Sequence, residues 1–268
     1  MKMVGIENAR AVTGGYGGSP TFLVLHKDGT LSSTETVGNP PRTMFRRLRG
    51  ITDVVAVSAA TRHFAALKSD GTVWTWGHND AGQLGSDSTT ERNAPLRATG
   101  IRDAVNIAAG NDATLVVKKD GTVWGWGKDI YALTPKGLEV RSSSSPLQIP
   151  GLKDIVAVAI PGQGYVNGTH FLAVDRSGKV WSWGFNPRGQ LGHGTKGNES
   201  VKKPAMVVGL DGVTAVAAGG MHSLALRSDG TICSWGKNSS GQLGNASGDD
   251  SAFPVSVVSG RVGLEKKP

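Results

Sequence analysis

Cysteine is nearly absent from this 268-residue chain: there is one, Cys233. No intramolecular disulfide can form, and a single thiol does not mark a redox compartment. Long apolar runs are missing too. No stretch approaches the 18 residues that a membrane-spanning helix needs. The opening MKMVGIENAR lacks the apolar core of a secretory signal, so with Met1 as the native start the chain is expected in the cytoplasm. No G-x-S-x-G, H-E-x-x-H, phosphate-binding loop or C-x-x-C occurs. The expectation is therefore a protein without catalytic residues, metal or cofactor. Acidic residues are the scarcer charge, 21 against 29 Lys and Arg, for a net charge of +8. That excess favours acidic partners; it says nothing of the fold.

Glycine is abundant, at 39 residues, with 12 prolines and few aromatics. This composition suits an all-β chain with many tight turns. The glycines are periodic. SDGTVWTWGHNDAGQLG from Ser69, KDGTVWGWGKD from Lys119, RSGKVWSWGFNPRGQLG from Arg176 and SDGTICSWGKNSSGQLG from Ser228 align without gaps, and KDGTLSST from Lys27 is a weaker fifth copy. The turn glycines are Gly29, Gly71, Gly121, Gly178 and Gly230. Eight residues before them stand Thr21, His63, Ala113, His170 and His222. Three and five residues after them stand Trp74 and Trp76, Trp124 and Trp126, Trp181 and Trp183, then Cys233 and Trp235. All seven tryptophans lie in these two columns.

Each copy reads as four short strands. A first run alternates around Val55 and Val57, or their counterparts, and a second follows the histidine column. Asp-Gly then supplies a hairpin turn, because Gly accepts the positive φ that the turn needs. In the third run the two tryptophans are two residues apart and share a face. A loop such as HNDAGQLG leads to the fourth run. The repeats are expected at about 7–50, 51–100, 101–151, 152–209 and 210–260, in one domain over 1–268. Four strands recurring about every 50 residues suit a propeller blade.

The segment WxWGxNxxGQLG after a DGTV turn resembles the regulator-of-chromosome-condensation repeat family, over roughly residues 7–260. The resemblance implies a β-propeller. Closed members of that family usually have seven blades, so five repeats imply an open or incomplete ring. The first copy has Ser32, Thr34 and Glu35 where others have Trp, Trp and Gly, which suits a terminal capping blade. The copy at Lys119 carries YALTPKG in place of GQLG.

The histidines are expected to bridge strands within their own blades, in preference to converging on a metal. The tryptophans are expected to pack between adjacent blades, not to form a ligand platform. Cys233, in a tryptophan column, reads as a small buried hydrophobe, and the turn aspartates as local turn formers. Binding is expected from the loops of one face. Two insertions share that face with the HNDAGQLG-type loops: IPGQGYVNG, from Ile160 to Gly168, and three extra residues around Gly14 to Pro20. The candidate contacts are Tyr165, Asn167, His78, Asn79, Phe185, Arg188 and Asn238. A second candidate surface is the cluster Arg42, Arg46, Arg47 and Arg49. It reads either as a solvated outer strand or as a contact for an anionic partner.

The leading expectation is a scaffold that binds a protein partner through its loop face. A chromatin- or DNA-associated propeller is the alternative, and the family resemblance adds a guanine-nucleotide exchange factor for a small GTPase. No membrane partner is expected. Self-association is expected if the propeller is open.

Overall fold

The computed structural model describes residues 6, 8–16, 20–37, 42–134, 137–162 and 169–258. The strands form five antiparallel sheets of four, each in chain order. The first holds β1 (Ala9–Tyr16), β2 (Pro20–His26), β3 (Leu31–Val37) and β4 (Arg42–Arg47). The second holds β5 (Val54–Ala59), β6 (His63–Lys68), β7 (Val73–Gly77) and β8 (Arg92–Arg97). The third holds β9 (Ala104–Gly110), β10 (Ala113–Lys118), β11 (Val123–Thr134) and β12 (Gly137–Gln148). The fourth holds β13 (Ile155–Ala159), β14 (His170–Asp175), β15 (Val180–Asn186) and β16 (Gly197–Met206). The fifth holds β17 (Val213–Ala218), β18 (His222–Arg227), β19 (Ile232–Gly236) and β20 (Ser251–Ser256).

Turn chemistry closes each second hairpin. The Asp70 carboxylate accepts the Thr72 N–H at 2.9 Å and the Thr72 hydroxyl at 2.6 Å, and Asp28 and Asp120 repeat this with Thr30 and Thr122. These bonds to the ionised carboxylate hold it below its ordinary pKa; for Asp28, with the Thr30 hydroxyl foremost, it falls to about 2. The fourth blade lacks the Asp-Gly pair, and Asp175, two residues earlier than that aspartate, accepts the N–H groups of Ser177 and Lys179 instead.

The first strands of successive sheets meet one another, so β5, β9, β13 and β17 are innermost. Alternation then gives every blade two working faces. One face looks to the following blade and carries Ala65, Leu67 and Val73 in the second blade. The other looks back and carries Ala66 and Trp76. Four apolar clusters result, one at each seam. Fully burying one such aliphatic side chain contributes about 1.5–3 kcal/mol. Trp76, Trp126, Trp183 and Trp235 are all buried in these seams. No packing of comparable extent joins the first sheet to the fifth among the described residues. The five blades form an open arc.

One expectation needs correction. Two of the column histidines, His63 and His170, bridge blades, not strands of one blade. His63 Nε2 lies 3.0 Å from Thr114 Oγ1 of the third blade, and His170 Nε2 lies 3.1 Å from Ser223 Oγ of the fifth. Their rings project from the forward face, where the neighbouring hydroxyl is the polar group within reach. YALTPKG, which stands in place of GQLG, belongs to an extended hairpin. Its described residues pair within a long ribbon of β11 and β12, with Tyr131 opposite Val140 and Thr134 opposite Gly137. Tyr131 is buried, edge-on to Phe171 of the fourth blade. The extra residues around Gly14 to Pro20 likewise lengthen the β1–β2 hairpin, with Tyr16 opposite Pro20.

Candidate functional site

One end of the arc gathers the first and third connections of every blade. The third connections of the second, fourth and fifth blades follow one internal plan. Asn79 Oδ1 accepts the Leu84 N–H at 2.9 Å, while its amide donates to the carbonyls of Ser88 and Thr90. Asn186 repeats the plan with Leu191 and Thr195, and Asn238 with Leu243 and Ser247. Gln83, Gln190 and Gln242 each fold back to accept a backbone N–H two residues upstream. All three asparagines are 0–2 % exposed. Each loop is therefore stiffened from inside by its hydrogen-bonded asparagine. The tips differ while the frame does not. Asp80 and Ala81 stand in one loop, Pro187 and Arg188 in the next, Ser239 and Ser240 in the last.

These loops are also tied to neighbouring blades. The Gln83 carbonyl accepts the Trp126 indole N–H at 2.8 Å and the Thr114 hydroxyl at 3.0 Å. The Gln190 carbonyl accepts the Trp235 indole N–H at 2.7 Å and the Ser223 hydroxyl at 2.8 Å. Arg188 reaches Asp250 Oδ2 at 3.3 Å. The Gly162 carbonyl accepts both the N–H and the hydroxyl of Thr61, at 3.1 and 2.7 Å, so the described start of the insertion, residues 160–162, reaches from the fourth blade to the second.

The expected site residues fall into three groups. His78 and Arg188 lie on this face. His78 Nε2 is 3.2 Å from Arg62 Nη1 and 3.1 Å from Asp80 Oδ2, and Arg62 also meets Asp112 at 3.5 Å. Asn79, Asn238 and Phe185 are on the same end of the fold but buried. The two amides are spent on their loops, so a partner would meet the tips they shape, not their side chains. Tyr165 and Asn167 lie outside the described residues. Of the arginine cluster, Arg42 belongs to β4, while Arg46, Arg47 and Arg49 are exposed on or just after that outer strand, away from the loop face. Arg47 is paired with Asp28 at 3.2 Å.

Sequence reasoning missed Arg62, Asp112 and Asp129. Arg62 and Asp112 sit in the short first connections, where the repeat shows no shared residue type, and Asp129 replaces the loop asparagine of the other copies. Burial raises the Asp129 pKa.

The hollows lie mostly on the opposite end, among the Asp-Gly turns. One is bordered by Lys153, Asp154, Asp175, Arg176 and Trp181, and the Trp181 indole N–H donates to Asp175 at 3.0 Å. No cluster of three His, Cys, Asp or Glu suited to a metal occurs among the described residues. The Cys233 thiol is buried at the fourth seam, and burial raises its pKa, the reverse of an activated nucleophile.

A family model described as the RCC1-like domain matches residues 17–266. The chain belongs to that family. This RCC1-like domain is 34 % identical over 202 residues to the human E3 ubiquitin-protein ligase HERC2, covering 70 % of this chain and 4 % of that one. The crystal structure of human WBSCR16 superposes with a TM-score of 0.75 at 24 % identity, over 89 % of this chain and 65 % of its own. Prp20p of Saccharomyces cerevisiae, described with its binding to Gsp1p and histones, superposes with a TM-score of 0.71 at 19 % identity, over 89 % and 61 %. The chain thus spans less than two thirds of the length of these similar proteins.

Proposed function

We propose that this RCC1-like domain is a non-catalytic scaffold that holds a protein partner on its loop face. One observation carries the reading: three loops share an asparagine–glutamine frame and differ at the tips which that frame holds up. A frame of that kind fixes where the tips stand without fixing what they are, as a rigid scaffold with binding loops requires. Preorganised tips also lower the ordering cost of association. Prp20p, of like fold, is described as binding Gsp1p and histones, which puts a small GTPase or a basic chromatin protein among the candidate partners. The net positive charge favours an acidic surface over a basic one.

The experiment is a pull-down with the intact chain, read by mass spectrometry, beside two variants. One carries Asp80→Ala, Arg188→Glu and Ser240→Arg at the tips. The other carries Arg46→Glu and Arg49→Glu on the outer strand side. The expected result is loss of the recovered protein with the tip variant and its retention with the other. The opposite pattern, with binding that falls steeply between low and physiological salt, would favour a nucleic acid held by the arginines.

A further inference from the structure

Three blades carry both column tryptophans, and they treat the first of the two differently. In the second and third blades a lysine three residues before the turn glycine lies over its ring. Lys68 Nζ is 5.8 Å from the Trp74 ring centre, and Lys118 Nζ is 5.4 Å from that of Trp124. Each indole N–H donates to a threonine of the same turn, Thr72 or Thr122. Lys68 also pairs at 3.8 Å with Asp53, the aspartate of the segment that leads into its blade. An aromatic face and a carboxylate thus hold one ammonium, through the ring quadrupole and the opposite charge.

The fourth blade keeps the ring and the carboxylate and lacks the lysine. Trp181 stands where Trp74 does, and Asp154 where Asp53 does. The lysine position is Asp175. Its carboxylate accepts the Ser177 N–H and hydroxyl, the Lys179 N–H and the Trp181 indole N–H, at 2.6–3.1 Å. Among the described residues no ammonium lies over Trp181, and Asp154 has no ion pair. A hollow of about 580 Å³ lies there, bordered by Lys153, Asp154, Asp175, Arg176 and Trp181. The corresponding hollow of the third blade, with Lys118 in position, is about 390 Å³. Trp181 is half-buried and Asp154 exposed, so both are open to an incoming group.

We infer that this hollow, at the end of the arc opposite the loop face, receives the side chain of a lysine from a partner protein. The occupied sites of the second and third blades define the occupant: an ammonium on a flexible alkyl stem, the stem along the indole and the charge beside Asp154. Lys153 and Arg176 on the rim do not bar it. The third blade has Arg102 and Lys119 at the same two positions, and Lys118 still lies over Trp124. Around the hollow the two cations are balanced by Asp154 and Asp175.

The test titrates Nα-acetyl-lysine methylamide into the full chain with isotope-labelled indoles, the Trp181 signal being assigned by its loss in Trp181→Phe. That signal should move and saturate in the millimolar range while the other indole signals stay in place. The same probe acetylated at Nζ, without its charge, should leave it unmoved. Asp154→Asn keeps a residue that tolerates the φ of +55° and should weaken binding severalfold. Asp175→Lys together with Ser177→Asp gives the fourth blade the turn and the lysine of the second, and should abolish binding. No shift with the lysine probe, or an equal shift with its acetylated form, would overturn the inference. So would a shift with inorganic phosphate alone, which would assign the hollow to an anion held by Lys153 and Arg176. Undiminished binding in the folded double variant would overturn it as well; if that variant does not fold, undiminished binding in Asp154→Asn does so.

Discussion

The two faces of the fifth blade share strands and differ in everything else. Looking back, Trp235, Ala225 and Cys233 are at most 6 % exposed, locked onto the fourth blade. Looking forward, Leu226 and Ile232 are more than two-fifths exposed. The first blade handles its outer side differently, with Thr34 bonded to its own sheet and Ser32 to His26 at 2.8 Å. A repeat of this kind is stable only through its neighbours. Its sequence specifies half of each seam, and the other half decides whether a given leucine is core or surface.

The largest expected break in that comparison comes from acid. His63 and His170 close two seams, and burial depresses both pKa values from 6.5 to about 3. Across that interval the unfolded chain binds the protons and the folded one refuses them. Stability from these residues is therefore complete above pH 6.5 and is lost as pH falls towards 3, by on the order of several kcal/mol in all. Urea midpoints measured from pH 7 to pH 4 should show the decline. The double change His63→Gln and His170→Gln should flatten it, whereas His222→Gln, at the half-buried edge position, should change the slope little.

Truncation at a seam comes next. Trp126→Ala removes a fully buried indole and takes one of two donors, the other being the Thr114 hydroxyl, from the Gln83 carbonyl, and should cost about 3–5 kcal/mol in denaturant unfolding. Leucines of one column then contrast core with edge. Leu67→Ala, 3 % exposed, should cost about 2–5 kcal/mol. Leu226→Ala, at the same repeat position but 41 % exposed, should cost under about 1 kcal/mol. Equal losses would mean that the outward face of the fifth blade is covered in solution.

The blades were legible because their signals are local. Asp-Gly turns, tryptophans two apart and the recurring GQLG each act within a dozen residues, and the strand boundaries followed. What lay across a seam was not legible. His63 looks like a residue of its own hairpin until Thr114 is seen 3.0 Å away in the next blade. Asn79 and Asn238 stand in polar loops and read as exposed; only the enclosed geometry shows that their amides are consumed. The ribbon of β11 and β12 escaped because its sequence lacks the alternation of a half-buried strand, and Tyr131 is buried by the fourth blade instead.

The finest test of the comparison compares two turn glycines. Gly71 and Gly230 have φ of +75° and +84°, so alanine at either must adopt the left-handed conformation, at about 1–2 kcal/mol. Only Gly71 has a neighbour. A Cβ there would lie 2.9 Å from the Cα and N of Asp103, backbone atoms that cannot step aside without opening the seam. Gly71→Ala should therefore cost more than Gly230→Ala, by about 1–3 kcal/mol, a difference that paired denaturant curves resolve. Equal costs would mean that the Gly230 turn is packed in solution as the Gly71 turn is, and the contrast between inner seam and edge would not hold.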